Sequence, residues 1–342
     1  MRRGRVSGRK LVRLLSNGTP ELTTGKLFLA LAQDLRRQGK DVDIDFRVLP
    51  RGVAPKSRLL LRTELGNMVR GARYNELRLH SPLAISFLPI LATRLRGGRV
   101  IAYVWDLYPD SARIVGTLKS RPLLFLYSAV EQACLALAQE IVVPSSDYSP
   151  ALSKFRGKLR IQPLWPTTTP VSTLRRHPIG SVLRVGFAGQ INAIRDLEAE
   201  IDELVEVWTG SGLEVHVFSP SPVPSSLKRR GEVDPRLTVI ERGLLSESQL
   251  QLELQRLDVG WVCLSKEFPL PAFPSKSLTY MCAGLPTLYT GPELPGYIEW
   301  LEGNNLGFRC SGDVLLSADS LGALTDHFES GRQRYLENLR VG

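Results

Sequence analysis

Residues 259–286, VGWVCLSKEFPLPAFPSKSLTYMCAGLP, join a short apolar run to a short helical pattern. The run Val259–Leu264 predicts a buried strand. After a loop rich in proline, Ser275 lies where a helix N-cap belongs, and Gly284 is expected to end the helix. Between them the apolar residues are Leu278, Met281 and Cys282. The stretch therefore predicts a strand, a loop and a helix, the unit from which parallel α/β sheets are built.

Strand-like runs alternate with helical patterns along the whole chain. The predicted strands are Lys10–Leu15, Val100–Trp105, Glu140–Pro144, Val182–Ala188, Leu213–Phe218, Leu237–Glu241 and Val259–Leu264. One amphipathic helix is predicted before Gly39, a second at residues 197–208, and a third after the capping-box pair Ser246 and Gln249. This alternation predicts α/β architecture with two open parallel sheets, which bind ligands at the carboxyl ends of their strands.

The domain organisation follows from one break in the pattern. Residues 163–181, PLWPTTTPVSTLRRHPIGS, are rich in proline and threonine and lack periodicity, which is typical of a linker. We therefore predict an N-terminal domain at residues 1–165, a linker at 166–181 and a second domain at 182–325. A C-terminal helix at 326–342 is expected to pack back on the N-terminal domain.

Cysteine and histidine usage disfavours a metal site. The 342 residues include four Cys and four His, with no CxxC pair and no cluster, which is typical of reduced thiols in the cytoplasm. The sequence DVDID at 41–45 contains Asp-x-Asp triplets, but it is predicted to be one solvated face of a second strand. The basic N-terminus lacks the apolar region of a secretory signal. Pro82–Thr93 is too short to span a bilayer and predicts a buried helix.

The two halves of the chain differ in charge. Residues 1–170 contain 28 Lys and Arg against 12 Asp and Glu, whereas the remainder contains 16 against 22. A basic surface can simply keep a protein soluble. The alternative is an anionic partner, and the basic residues at 2–13 and 47–99 favour an anionic membrane surface. No motif of a nucleic-acid-binding fold is present, so we expect no nucleic-acid partner.

The start of the predicted helix at Ser275 is a candidate site for a diphosphate. A helix N-terminus presents backbone N–H groups and a positive dipole to an anion. Lys276 in the first turn opposes the dipole, and a bound anion would compensate its charge. The alternative is an ordinary capped core helix, which the spacing alone does not exclude.

Several segments resemble GT-B family 4 glycosyltransferases, which are retaining enzymes that use nucleotide sugars. Residues 257–291 resemble the donor region, where Pro-Ser-Lys precedes a helix that ends in Ala-x-Gly-x-Pro. Four other segments resemble family segments in the same order along the chain: TPELTTGKLFLALAQDLRRQGKDVDI, YVWDLYPDS, EIVVPSSDYSPAL and LRVGFAGQINAIRDLE. The resemblance covers most of residues 10 to 310. It implies a GT-B fold, in which two Rossmann-like parallel-sheet domains face a central cleft.

The resemblance also implies roles for individual residues. It implies catalytic positions for Asp106, Arg195 and Lys276, and an acceptor side at His80 and Trp105. Arg195 lies six residues after Gly189, where the family often has a lysine that binds the diphosphate. The donor-binding positions would be Thr24, Gly25, Gly189, Gln190, Gly243, Glu267, Pro274, Ser275 and Thr279.

Three positions depart from the family pattern. Gln190 replaces a frequent arginine, Thr279 replaces the glutamate that binds ribose, and Trp105 replaces a histidine. Glu267 and His80 are approximate substitutes for the missing glutamate and histidine. Because of these departures, the resemblance determines neither the identity of the donor nor whether the protein is catalytically active.

The leading hypothesis is a metal-independent retaining glycosyltransferase without a permanently bound cofactor. It would move a sugar from a UDP- or GDP-sugar to a lipid-linked or polysaccharide-precursor acceptor, in the cytoplasm at the inner face of the membrane. One alternative is a nucleotide-sugar epimerase or hydrolase, which needs carboxyl groups as acid and base. The other is a noncatalytic GT-B partner subunit.

Overall fold

The computed structural model describes residues 11–46, 74–172, 179–192, 194–310 and 315–339. The chain forms two compact units. Unit 1 contains the described residues up to Trp165 together with Leu270–Phe273, and unit 2 contains those of Pro166–Pro269 and Pro274–Leu339. Most basic residues on which the membrane prediction rests, at 2–10 and 47–73, lie outside the described residues.

Unit 1 contains a six-stranded parallel sheet with the order β2-β1-β3-β4-β5-β6. Its strands are β1 Leu11–Ser16, β2 Asp41–Phe46, β3 Glu76–His80, β4 Arg99–Tyr103, β5 Glu140–Val143 and β6 Leu159–Ile161. Its helices are α1 Thr23–Arg37, α2 Phe87–Leu95, α3 Asp110–Ile114 and α4 Arg121–Leu137. The apolar face of α1 is buried as predicted, and Gly39 adopts the left-handed conformation after the helix. Apolar residues of the strands pack against the flanking helices and form the core of this unit.

Unit 2 contains a second six-stranded parallel sheet with the order β12-β11-β10-β7-β8-β9. Its strands are β7 Val182–Ala188, β8 Gly212–Phe218, β9 Leu237–Glu241, β10 Val259–Cys263, β11 Thr287–Thr290 and β12 Gly307–Arg309. Its helices are α5 Leu197–Val207, α6 Ser225–Val233, α7 Glu247–Leu254, α8 Lys276–Ala283, α9 Pro295–Gly303 and α10 Ala318–Glu337. Both units are Rossmann-like, which confirms the predicted fold class.

The predicted strands are present, with bounds that shift by at most two residues, and the predicted helices are present too, although the C-terminal helix begins eight residues earlier than predicted. The capping box of Ser246 and Gln249 is confirmed at the start of α7. Residues 82–93 lie mostly in a 3₁₀ turn and α2, as the prediction of a buried helix required. Four strands were not predicted from the sequence: β3, β6, β11 and β12.

Strand β2 contains the DVDID segment, whose acidic side chains were predicted to form one solvated face. Asp41 and Asp43 are exposed and the Asp45 side chain is 38% exposed, which agrees with this prediction. On this face Asp45 also forms an ion pair with the buried Arg13 at 2.6 Å, and Asp43 accepts a hydrogen bond from the Tyr74 hydroxyl at 2.5 Å.

The C-terminal helix α10 starts earlier than predicted and belongs to unit 2. The buried Arg332 donates hydrogen bonds to the carbonyl oxygens of Met281 at 2.8 Å and Val171 at 2.6 Å. These bonds hold α10 against the end of α8 and the segment that follows Trp165. The packing of residues 326–342 on the N-terminal domain stays a prediction.

All four cysteines are buried free thiols. No helix within the described ranges is long and apolar enough to cross a lipid bilayer.

Candidate functional site

In the sheet of unit 2, the order in which the chain adds strands reverses between β7 and β10. From β7 the chain adds β8 and β9 on one side, and then adds β10, β11 and β12 on the other. In open α/β sheets, ligands bind outside the carboxyl ends of the strands at such a switch point. Here that edge is formed by the residues after Ala188 and Cys263. We call it the unit 2 switch edge.

Arg195 lies at the unit 2 switch edge. Its Nη1 donates a hydrogen bond to the Gln190 carbonyl at 3.0 Å, and the backbone N–H of Ser265 donates to Ile194 at 2.8 Å. Arg195 is half-buried, and desolvation lowers the pKa of its guanidinium from the usual value. Among the residues that the structure describes, no carboxylate lies within ion-pair distance of Arg195. An anion at this edge would therefore supply a charge that the described part of the chain does not.

The turn at Gly189 is in direct contact with Arg195. The backbone N–H of Gly189 donates to the Phe218 carbonyl at 3.0 Å. A side chain at Gly189 would meet no atom closer than 3.5 Å, and one of its neighbours would be the guanidinium carbon of Arg195. The structure therefore brings together Gly189, Gln190 and Arg195, to which the resemblance assigns roles in the donor site.

Helix α8 begins at the same edge because Tyr280 anchors it to the two central strands. The Tyr280 hydroxyl accepts a hydrogen bond from the Ala188 N–H and donates one to the Trp261 carbonyl, each at 2.9 Å. Lys276 lies one helical turn earlier, roughly 5 Å further along the axis. Since α8 follows β10 and returns antiparallel to it, its first turn lies on the carboxyl side of the sheet. Pro274, Ser275 and Lys276 are all partly exposed.

Ser275 does not cap α8 with its side chain, contrary to the prediction from the sequence. It occupies the N-cap position of α8, but its backbone is helical, with φ −63° and ψ −14°, and its side chain forms no capping hydrogen bond. The N–H groups of Ser277 and Leu278 point to the carbonyls of Pro274 and Ser275 at 3.3 and 3.2 Å. These two donors are already engaged, so Lys276 and the helix dipole contribute more of the positive potential than the sequence suggested.

Three other predicted donor positions lie in unit 2. Glu267 is exposed in the loop after β10, and its N–H donates to the Ser265 hydroxyl at 3.4 Å. Thr279 is partly exposed on α8. Gly243 follows β9 with φ +68°, the left-handed region that favours glycine. All three remain predictions as ligand contacts.

Helix α5 contributes an acidic pair that was not predicted from the sequence. Glu200 and Glu203 are both buried, and Lys266 forms an ion pair with Glu203 at 3.2 Å. Desolvation raises the pKa of Glu200, and a hydrogen bond with Thr290 opposes this effect. The ion pair ties the loop after β10 to α5. Because Glu203 and Lys266 lie far apart in the sequence, local pattern offered no signal for this contact.

The sheet of unit 1 has its own switch point between β1 and β3. His80, at the end of β3, is buried there, and desolvation lowers its pKa to about 4. Its Nε2 accepts from the Asn17 N–H at 3.0 Å, which leaves Nδ1 to donate to the Ser81 carbonyl at 2.7 Å. His80 is thus a neutral ring with both nitrogens bonded to the protein. It stacks on Trp105 with ring centroids 5.0 Å apart.

Asp106 and the α1 loop are the remaining predicted positions. The Asp106 N–H donates to the Ser81 hydroxyl at 3.1 Å. Its side chain is solvent-accessible, while the protein around it partly desolvates the carboxyl group and raises its pKa. Gly25, after Thr24 in the first turn of α1, was predicted to allow close approach of a phosphate. A side chain there would lie 2.0 Å from the Thr19 carbonyl oxygen, so the chain's own backbone already occupies that space.

Comparisons with known proteins give the fold. No family model and no curated protein matches the chain. A Listeria monocytogenes structure named for UDP-N-acetylglucosamine 2-epimerase is 13% identical, with a TM-score of 0.54 over 95% of this chain and 90% of that chain. A further UDP-N-acetylglucosamine 2-epimerase structure is 12% identical, with a TM-score of 0.51 over 95% and 91%. Arabidopsis thaliana UGT89C1 complexed with UDP-L-rhamnose is 12% identical, with a TM-score of 0.50 over 97% and 95%. With its two Rossmann-like sheets, this chain has the GT-B fold.

Proposed function

We propose that this chain is a glycosyltransferase that binds the diphosphate of a nucleotide sugar at the unit 2 switch edge. The observation that carries the proposal is Arg195, a half-buried guanidinium that bonds to the Gln190 carbonyl and has no carboxylate partner in the described part of the chain. A charge withdrawn from water is costly unless it is paired. A guanidinium also matches two phosphate oxygens at once.

The start of α8 supports the same ligand from a second element. Lys276 and the positive end of the helix dipole lie at the edge that carries Arg195. The neighbours of this fold whose names include UDP or a UDP-sugar fit a nucleotide donor. We therefore propose a UDP- or GDP-sugar as the donor, with no permanently bound cofactor.

In the proposed reaction, an acceptor hydroxyl oxygen bonds to the anomeric carbon as the bond between that carbon and the diphosphate breaks, with retention of the anomeric configuration, and the hydroxyl proton passes to the departing diphosphate. Negative charge develops on the leaving diphosphate. Arg195 and Lys276 would stabilise this charge, and we propose that these cations serve where other enzymes use a metal ion. Preformed positioning of donor and acceptor would supply much of the remaining rate enhancement.

For the acceptor we propose a lipid-linked saccharide or polysaccharide precursor at the inner face of a cytoplasmic membrane. The support is the excess of Lys and Arg over Asp and Glu in residues 1–170. Basic side chains near an anionic bilayer each contribute about 1 kcal/mol to binding.

A nucleotide-sugar epimerase is the second candidate. Two of the structures that share this fold are named for UDP-N-acetylglucosamine 2-epimerase. Epimerisation needs an acid and a base near the sugar. Glu267 is exposed in the loop after β10, whereas Glu200 and Glu203 are buried on α5. Asp196, the other exposed carboxyl group beside Arg195, caps α5 by accepting a hydrogen bond from the Ala199 N–H at 3.3 Å. Since the edge then offers Glu267 but no second carboxyl group without a structural role among its described residues, we favour sugar transfer.

The first prediction concerns the two proposed phosphate-binding cations. We expect Arg195→Ala and Lys276→Ala each to lower nucleotide-sugar turnover about 10²–10³-fold, because each removes a positioned charge that acts on the leaving group. UDP or GDP should raise the melting temperature of the wild-type protein by mass action, and less so in both variants. Donor consumption is measured with and without acceptor extracts, so that acceptor-independent products reveal an epimerase or hydrolase.

Arg256→Ala is the matched control, because this exposed arginine of unit 2 pairs with Glu253 on the protein surface. It should keep wild-type turnover and wild-type thermal shifts. If neither UDP nor GDP shifts the melting temperature, or if both alanine variants turn over donor at the wild-type rate, the proposed function is wrong.

A further inference from the structure

The first half of α4 leaves a large apolar surface uncovered. Residues 121–130 have the sequence RPLLFLYSAV and none of them is buried, whereas the second half of the helix buries Glu131, Cys134 and Leu135. Phe125 is 78% exposed, Leu126 60% and Leu123 54%. Soluble proteins rarely leave several large apolar side chains together in water, so such a patch indicates an interaction surface.

The segment before α4 continues this surface. Val115 follows α3 and is 60% exposed. The rings of Tyr108 and Tyr127 lie 6.3 Å apart, which places the start of α3 beside α4. We define the α4 patch as the exposed residues Val115, Lys119, Arg121, Leu123, Phe125 and Leu126.

The charge around the α4 patch is positive. Lys119 and Arg121 lie at its centre along the chain, and Arg113 lies just before it. Asp110 is the only acidic residue from 110 to 130, and it pairs with Arg113 at 3.6 Å. The patch therefore combines large apolar side chains with basic groups, the composition of helices that lie in the interface of a lipid bilayer.

We propose that the α4 patch is the surface by which this chain docks on an anionic lipid bilayer. Phe125 and Leu126 enter the boundary between headgroups and acyl chains, while Lys119 and Arg121 contact anionic headgroups. A second copy of the chain fits less well, because a symmetric contact would bring two positive patches together. The proposal rests on the proposed function only in that a lipid-linked acceptor requires a membrane surface.

Vesicle flotation of the full chain tests this docking. The wild-type protein should bind phosphatidylcholine vesicles that contain phosphatidylglycerol more tightly than pure phosphatidylcholine vesicles. The double variant Phe125→Ser/Leu126→Ser should bind the anionic vesicles at least about tenfold more weakly, because the inserted apolar area is lost. Lys119→Glu/Arg121→Glu should reduce the preference for anionic vesicles, while the other basic residues of 1–170 retain part of it. The control Val233→Ser/Leu244→Ser removes two exposed apolar side chains of unit 2 and should bind like the wild type.

A labelled variant reports insertion at one position. Since all four native cysteines are buried, Phe125→Cys provides one accessible thiol for an environment-sensitive dye. The emission should shift to shorter wavelength with anionic vesicles, and the same dye on Leu244→Cys in unit 2 should show no shift.

The proposal is overturned if wild type and Phe125→Ser/Leu126→Ser bind anionic vesicles equally, or if the wild type binds none. It is also overturned if sedimentation shows a dimer that this variant dissociates, since a second copy would then cover the patch. Thermal shift with UDP and GDP on the same proteins separates the two proposals. The patch variants should show the same thermal shift with nucleotide as the wild type. If neither the wild type nor the variants show a shift, the result counts against the proposed function and not against membrane docking.

Discussion

Glu131 is a buried carboxyl group that serves the fold of unit 1 as an internal cap. Its two oxygens accept hydrogen bonds from the backbone N–H groups of Leu83 at 3.0 Å and Ala84 at 2.6 Å, just before α2. Desolvation is the larger effect and raises its pKa to about 7, although these two hydrogen bonds oppose the shift. The titratable neighbours Tyr108, Tyr127 and Cys134 have raised pKa values and stay neutral near pH 7.

The second prediction is a pH dependence of stability that arises from Glu131. Between about pH 5 and pH 7 the native state keeps the proton that the unfolded state has lost, so the free energy of unfolding falls as pH rises. The pKa rises from 4.5 to about 7, which corresponds to about 3 kcal/mol across this window. Glu131→Gln cannot ionise and should show a flatter profile. Urea denaturation from pH 5 to pH 8 measures the difference.

The exposed Glu293 provides the control for this pH profile. Glu293→Gln should keep the slope of the wild type, because its carboxyl group is in water in both states. Parallel profiles for wild type and Glu131→Gln would show that the carboxyl at position 131 is already ionised at pH 5, contrary to the prediction.

Among the elements, α8 depends on one glycine in β10. A side chain at Gly260 would lie 2.2 Å from the Tyr280 ring, whose hydroxyl bridges Ala188 and Trp261. In the register of the sheet, Gly260 pairs with Gly186 of β7. A side chain at Gly186 would meet the ends of Leu257 and Leu254 instead, which are flexible. The close approach of the ring at Gly260 therefore fixes where α8 begins.

The third prediction compares these paired glycines. Gly260→Ala should destabilise the protein by about 2–4 kcal/mol, since the ring must move and its hydroxyl loses both partners. It should also weaken the thermal shift with UDP or GDP, because the start of α8 moves with Tyr280. Gly186→Ala should cost less than half as much and leave the nucleotide response intact. Equal losses of stability in the two variants, measured by urea denaturation, would contradict this account of α8.

The strands that the sequence predicted and those it missed differ in composition. Val182–Ala188 and Leu237–Glu241 were predicted with the observed bounds, because apolar residues dominate or alternate in them. Strand β3 was missed because Glu76 and Arg78 interrupt its apolar pattern. In the structure both are buried, with Arg78 Nε donating to Glu76 at 2.6 Å and Nη1 to the Tyr103 hydroxyl at 3.0 Å. Such pairing depends on the fold and cannot be read from local pattern.

The residues of the candidate site came from the family resemblance. It assigned Gly189, Gln190 and Arg195 to one donor-binding region, and in the structure Arg195 bonds to the Gln190 carbonyl and lies beside Gly189. The anchor Tyr280 was missed because its partners lie far away in the sequence. The bonded His80 ring and the filled space beside Gly25 likewise depend on distant or folded-back backbone. Local sequence therefore predicted where the loops lie. Which side chains remain available to a ligand depends on tertiary contacts, which local sequence does not show.

At the scale of the whole molecule, the two halves of the chain differ in charge. Residues 1–170 hold the excess of positive charge and the α4 patch, whereas the remainder has more acidic than basic residues. The unit 2 switch edge carries Arg195 and the start of α8. We infer a division of labour in which unit 1 meets the membrane and unit 2 holds the nucleotide.

The fourth prediction tests this division by hydrogen exchange. Among the described residues of unit 2, UDP or GDP should slow exchange most at 188–192, 194–196, 264–269 and 274–280, which contain the unit 2 switch edge and the start of α8. With nucleotide at about 100 times its Kd, amides that exchange only by unfolding of unit 2 should slow about 100-fold. Anionic vesicles should instead protect residues 110–130. Arg195→Ala should lose the nucleotide effect and keep the vesicle effect, because the two ligands contact different units. Nucleotide protection confined to unit 1, or vesicle protection centred on unit 2, would reverse the assignment and require another donor site.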